Sequence, residues 1–144
     1  MQTDEIAKAY AKFYEELSDK SSREHYGVFF DKNSEFSDPF QSVKGLGAIH
    51  NIFVNMYKTL HNPRFVVDEV VSSDEVAYIK WRFYYSMSES AKADSFTGIS
   101  RVTFTPGAKV KSHIDYWDAA EHVYEKIPLL GAVLRYIKRR IHAK

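Results

Sequence analysis

The segment 112-SHIDYWDAAEH-122 sets a histidine, two aspartates, a tyrosine and a tryptophan between His113 and Asp118. On a β-strand alternate residues share a face, so His113, Asp115 and Trp117 point one way and Ile114, Tyr116 and Asp118 the other. An imidazole and a carboxylate two residues apart are close enough to share a proton or a ligand hydroxyl. Facing a core, such groups are costly unless they are paired or put to use. One reading makes His113 and Asp115 an acid/base pair on a pocket wall shaped by Trp117. The other makes them a polar pair at a sheet edge, or a structural ion pair with Lys or Arg. Asp118 differs, because Glu121 three residues on gives it the pattern of a helix N-cap. Asp38, in 35-EFSDP-39, is the third catalytic candidate. It reads either as a partly desolvated general base or as a turn aspartate before Pro39 whose carboxylate closes a loop.

Other chemistries find little support. No HxxxH or cysteine-rich spacing accompanies His113 and Asp115, so no metal site and no cofactor are expected. The pair 45-GLG-47 follows a polar turn and lacks the longer glycine spacing of a phosphate loop. With no cysteine in the chain, disulfides, thiolate zinc sites and cysteine nucleophiles are excluded. Lys and Arg number 20 against 19 Asp and Glu, a balance that gives no field for nucleic acid. The start, MQTDEIAKAY, has no basic region followed by an apolar run, and no apolar run approaches a membrane span. A cytoplasmic domain is the expectation.

These residues need a scaffold. A chain of 144 residues is most simply one domain, 1–144, burying roughly 70% of its unfolded surface. Aromatics make up 15% of it, which favours a packed interior with an aromatic-lined cavity. Thr3 followed by Asp4 and Glu5 starts a helix whose stripe is Ile6, Ala9, Tyr10, Phe13 and Leu17. Ser21 and Glu24 form a capping box for a short second helix that Gly27 interrupts. Asp31 to Ser34 is turn chemistry, leading into a brief strand at Glu35 to Asp38. A longer helix opens at Gly45, presents Leu46, Ile49, Phe53, Met56, Tyr57 and Leu60 on one face, and stops at Asn62-Pro63.

From there the character changes. Residues 65–71, 76–87, 95–105 and 109–117 are rich in β-branched and aromatic residues and are separated by short polar connections, which predicts a four-stranded antiparallel meander. Ala77, Ile79, Trp81, Phe83 and Tyr85 form the core face of one strand; Phe96, Gly98, Ser100, Val102 and Phe104 share a face of the next. The fold class is therefore α+β, a cone-shaped curved antiparallel sheet of four strands plus one short strand, packed against N-terminal and central helices. A final helix, Leu129 to Ile141, carries an apolar stripe of Leu129, Leu130, Val133, Leu134, Ile137 and Ile141, with Arg135, Lys138, Arg139, Arg140 and Lys144 near its end. Packing across the cone is the preferred placement, its cations complementing the helix dipole. Contact with an anionic membrane surface or a partner is the lesser alternative.

The element order, with 35-EFSDP-39, 107-GAKV-110 and 113-HIDYWD-118, resembles the nuclear transport factor 2-like superfamily, in its SnoaL-like and ketosteroid-isomerase-like branches. The resemblance implies a conical pocket between sheet and helices, often with homodimerisation through the outer sheet face. It also implies isomerase, cyclase or dehydratase chemistry without a cofactor, or else a non-catalytic binding or dimerisation module. In ketosteroid isomerase a general-base aspartate precedes a proline, and Asp38 matches that position. The isomerase's oxyanion-hole aspartate falls near Ser100 here, and its first-helix tyrosine near Phe13, beside Tyr14. Asp115 is similar to the late-strand acid of polyketide-cyclase-like relatives. The expected ligand is a small hydrophobic, ring-bearing molecule held by Phe13, Tyr14, Tyr57, Trp81, Phe83, Ser100 and Trp117.

Overall fold

A computed structural model describes residues 3–124 and 127–142. The elements are α1 (Thr3–Glu16), α2 (Arg23–Phe29), β1 (Phe30–Asp38), β2 (Gln41–Lys44), α3 (Leu46–Thr59), β3 (His61–Ser73), β4 (Val76–Ser86), β5 (Asp94–Phe104), β6 (Val110–Tyr116), α4 (Ala119–His122) and α5 (Pro128–Ile141). The six strands form one curved, unclosed sheet in the order β2-β1-β6-β5-β4-β3, with α1 against β3 and β4 and α3 against β1. The α+β class and the β3–β6 meander are as the sequence predicts. Two details differ. The sheet is mixed, because β1 pairs with β6 in parallel, and β2 adds an antiparallel edge to β1.

Both differences arise around residues that read as turn formers. The side chain of Asp31 accepts the Asn33 N–H at 3.0 Å, and the β1–β6 register shifts between Phe30 and Glu35. The turn-like stretch is thus absorbed as an irregularity within a nine-residue strand. Asp38 then closes the β1–β2 hairpin around Pro39 and Phe40. Two helix readings also shift. The cap of α2 is Ser22, which accepts the His25 N–H, and the helix runs through Gly27 because a Cβ there would lie 3.3 Å from Leu46, so glycine permits a close approach to α3. On α1 the buried set is Thr3, Ala7, Tyr10, Ala11, Phe13 and Tyr14, while Ala9 faces solvent.

The helices are tied to the sheet by polar as well as aromatic contacts. The Thr3 hydroxyl donates to the Asp74 carbonyl in the β3–β4 turn. Glu15 accepts the Val67 N–H at 3.0 Å, beside the register irregularity of β3 between Val67 and Glu69. The core is built largely of rings: Phe13 meets Phe29 at 4.5 Å, Tyr14 lies edge-on to Phe65 at 5.3 Å, and Phe36 stacks on His113 at 4.9 Å.

The sheet face opposite α1 depends on one glycine. Trp81 on β4 stands directly across from Gly98 on β5. A Cβ at Gly98 would come within 2.3 Å of the Trp81 indole. The ring lies where that side chain would be, and from there its N–H donates to Ser100 Oγ. Gly98→Ala is therefore expected to lower stability by roughly 1–3 kcal/mol in denaturant unfolding and to alter the tryptophan fluorescence of the native state. An unchanged midpoint and spectrum would show that the indole does not need the space.

Candidate functional site

Strand alternation puts His113 and Asp115 on the inner face of β6, opposite Val102 and Ser100 of β5. From there a string of hydrogen bonds crosses the interior. The Trp81 indole N–H donates to Ser100 Oγ at 2.8 Å, and Ser100 donates to Asp115 Oδ1 at 2.5 Å. His113 Nε2 meets the same oxygen at 2.5 Å. His113 Nδ1 lies 2.8 Å from the Tyr10 hydroxyl, which lies 3.1 Å from that of Tyr14. Four elements contribute: α1, β4, β5 and β6. His113 is 2% exposed and the Asp115 side chain 14%, so the pair is nearly dry and its mutual attraction is weakly screened.

Two proton arrangements satisfy this string. With His113 neutral and its Nε2–H on Asp115, Nδ1 accepts from Tyr10, and Tyr14 donates to Tyr10. With His113 protonated, Nδ1–H donates to Tyr10 and Tyr10 donates to Tyr14. In the second arrangement the Tyr14 proton becomes available to whatever lies beside it. Burial holds both tyrosine hydroxyls well above the ordinary tyrosine range, and the Asp115 charge adds to the effect. Both contacts to Asp115 fall on Oδ1, which leaves Oδ2 as the outer acceptor.

The string borders a hollow of about 10 Å³, lined by Tyr14, Phe65, Val67, Trp81, Ser100, His113 and Asp115 among others. That is room for roughly one water. Trp81 in turn meets Phe96 at 6.0 Å, and a ring cluster continues from there: Trp117 stacks on Phe96 at 4.3 Å, and Phe40 meets Trp117 at 5.4 Å and Tyr124 at 6.1 Å. Among the described residues no three His, Asp or Glu side chains gather as a metal-binding set.

Of the residues singled out in the sequence, His113, Asp115, Tyr14, Trp81 and Ser100 meet at this hollow. Trp117 does not line it and stacks instead on Phe96. Phe83 packs one layer away, against Phe65, Tyr85 and Phe96, and Phe13 packs against Phe29 and Tyr26 on the helix side. Asp38 is elsewhere: its carboxylate accepts the Phe40 N–H at 2.8 Å, the Gln41 N–H at 3.1 Å and the Gln41 side-chain amide at 3.0 Å. It closes the β1–β2 turn. Tyr57 lines a different cleft, of about 200 Å³ between the α1–α2 connection and α3, with Asp19, Tyr26 and His50. Burial, then the Asp19 charge, pushes its phenol up to about 12, and its oxygen has no hydrogen-bond partner among the described residues.

Tyr10 is the member of the string that sequence reasoning treats only as core. Its signal is the tyrosine four residues later: Tyr10 and Tyr14 share a helix face, and two hydroxyls on an apolar stripe call for polar partners across the core.

None of the curated proteins matches the chain in sequence. In three dimensions it superposes on a SnoaL-like family protein from Agrobacterium tumefaciens with a TM-score of 0.66 and 18% identity, covering 82% of this chain and 99% of the other. A SnoaL-like protein from Jannaschia sp. CCS1 gives 0.72 at 11% identity, covering 84% and 91%. TerC, co-crystallised with polyporic acid, gives 0.67 at 13% identity, covering 81% and 92%. At these identities the likeness is one of fold. The sequence itself carries the rest: residues 10–113, running from the first tyrosine of the hydrogen-bond string to its histidine, match the SnoaL-like domain model, and the chain belongs to the SnoaL-like domain family.

Proposed function

We propose that the protein binds a small hydrophobic, ring-bearing molecule inside the cone and that Asp115, with His113, moves a proton next to the ligand's carbonyl without a cofactor. The observation that carries this reading is the buried string from Trp81 to Tyr14. Apolar side chains would fill the same space without desolvating a carboxylate and an imidazole. Asp115 Oδ2 would accept a proton from the carbon beside the carbonyl. Tyr14 would donate to the carbonyl oxygen as negative charge develops there, the kind of preorganised donor that lowers such barriers. Return of the same proton to a second carbon completes an isomerisation, and no electrons leave the ligand. His113 would hold the carboxylate through Oδ1 and exchange its other proton with Tyr10. The ring cluster of Phe40, Phe96, Trp117 and Tyr124 would give way to the ligand's own rings. The bound ring compound of TerC supports the ligand class.

The small size of the hollow favours a second reading, in which the same fold serves as a non-catalytic binding or dimerisation module. In either reading the protein pairs through its outer sheet face, where Tyr78, Ile99 and Tyr116 are exposed beside one another across β4, β5 and β6. Light scattering is expected to give a dimer, and the double variant Tyr78→Asp, Tyr116→Asp a monomer. A wild-type monomer would remove this part of the proposal.

A thermal-shift screen of steroids, polyketide-like aromatics, fatty acids and terpenoids separates the two readings. A true ligand at a hundredfold over its Kd is expected to raise Tm by about 5–10 °C. With Asp115→Asn, binding persists while turnover falls by about a hundredfold or more. Ligand stabilisation with equal turnover in wild type, Asp115→Asn and His113→Asn would leave the binding module and end the catalytic assignment.

The tyrosines set a separate test. In the unfolded chain they ionise near pH 10, whereas buried Tyr10 and Tyr14 hold their protons to higher pH. Their contribution to stability is therefore complete below about pH 10 and is lost as pH rises beyond it. Alkaline titration should show part of the tyrosinate absorbance appearing together with loss of the folded circular-dichroism signal, and the double variant Tyr10→Phe, Tyr14→Phe should weaken that coupling. Full tyrosinate absorbance in a still-folded protein would contradict their burial.

A further inference from the structure

The C-terminal helix does not pack across the cone as its sequence pattern suggests. Of α5, Gly131 is buried and Leu134 half-buried, and the stripe meant for a core is left outside. Leu129 is 79% and Ile141 78% exposed, and Leu130, Val133, Tyr136 and Ile137 between them are exposed as well. At about 100° per residue these side chains form one continuous arc along the helix. Exposed apolar area of this extent on a single helix marks a surface that meets something.

The charges indicate what. Between Pro128 and Ile141 the helix has Arg135, Lys138, Arg139 and Arg140 and no acidic residue. Lys138, Arg135 and Arg139 fall on the arc opposite the stripe, whereas Arg140 lies within the stripe, between Leu129 and Val133, where its long stem can lie along apolar surface while its head reaches water. Basic on one side and apolar on the other is the arrangement of a helix lying in the plane of an anionic membrane surface. A second copy packed stripe to stripe would bury the Arg140 guanidinium in the apolar contact, whereas at a lipid boundary its head can reach the phosphates. Spanning is excluded by length: fourteen residues make a helix of about 21 Å, short of the ~30 Å hydrocarbon core. Among the described residues no helix is long and apolar enough to cross a membrane.

We propose that α5 docks the protein on an anionic lipid bilayer, its stripe from Leu129 to Ile141 entering the headgroup–acyl boundary and Arg139 and Arg140 reaching the lipid phosphates. This does not rest on the ligand reading. The hollow and α5 share no residue, so the two can fail separately.

The test is co-flotation of the full chain with phosphatidylcholine vesicles, with and without phosphatidylglycerol, at low and high salt. Binding is expected only with phosphatidylglycerol and is expected to weaken as salt rises. Leu130→Asp and Ile137→Asp should abolish it, and Arg139→Ala with Arg140→Ala should weaken it by roughly fivefold per charge removed. Because these side chains are exposed, the variants should keep the wild-type Tm, which is measured alongside. Failure of the wild type to bind anionic vesicles, binding that ignores lipid charge, or binding unaffected by Ile137→Asp would each overturn the proposal. So would a dimer in light scattering that Ile137→Asp converts to monomer, since a second copy would then cover the stripe.

Discussion

The structure is organised around a carboxylate and an imidazole kept out of water. Asp115 and His113 sit on the inner face of β6, where ionised groups are expensive, and each is satisfied by a partner from another element. Ser100 comes from β5 and Tyr10 from α1. Remove any one element and a buried polar group is left unpaired, which in a low-dielectric interior costs more than the bond itself is worth. The string therefore demands that α1 lie across the sheet at one height and rotation. That rotation turns Ala7, Tyr10, Ala11 and Tyr14 inward together.

Sheet architecture meets the same demand from the other side. The parallel pairing of β1 with β6 gives the site strand a neighbour on each edge, so β6 is central in the order β2-β1-β6-β5-β4-β3. A central strand has its backbone groups committed, which fixes the register and so the face on which His113 and Asp115 appear. Gly98 completes the arrangement by giving up a side chain so that Trp81 can cross to Ser100. The hollow beside this network has space for about one water molecule.

The final helix obeys a different rule. It has an apolar stripe as regular as that of a core helix, yet among the described residues most of that stripe stays exposed. Periodicity reports that a face prefers to leave water. It does not report which surface receives it, because the same pattern suits a sheet, a partner or a lipid boundary. The lipid docking proposed for this helix adds to that pattern its basic residues and its lack of an acidic one.

The α+β class, the four-strand meander and the shared strand face of His113 and Asp115 were legible in the sequence, because alternation and helical spacing are local consequences of backbone geometry, whereas which way that face points was not. So was the small-residue face of Gly98 and Ser100. Local patterns could not place Asp38, whose two readings differ only in whether the backbone N–H groups of Phe40 and Gln41 lie within reach of its carboxylate, as they do. Nor could they show that Asp31 to Ser34 would be taken up inside a strand, since the pairing that does so lies with β6, far along the chain. The meeting of Tyr10 with His113, the narrowness of the hollow and the exposure of α5 were likewise settled only by tertiary structure, because each is set by contacts between elements distant in sequence.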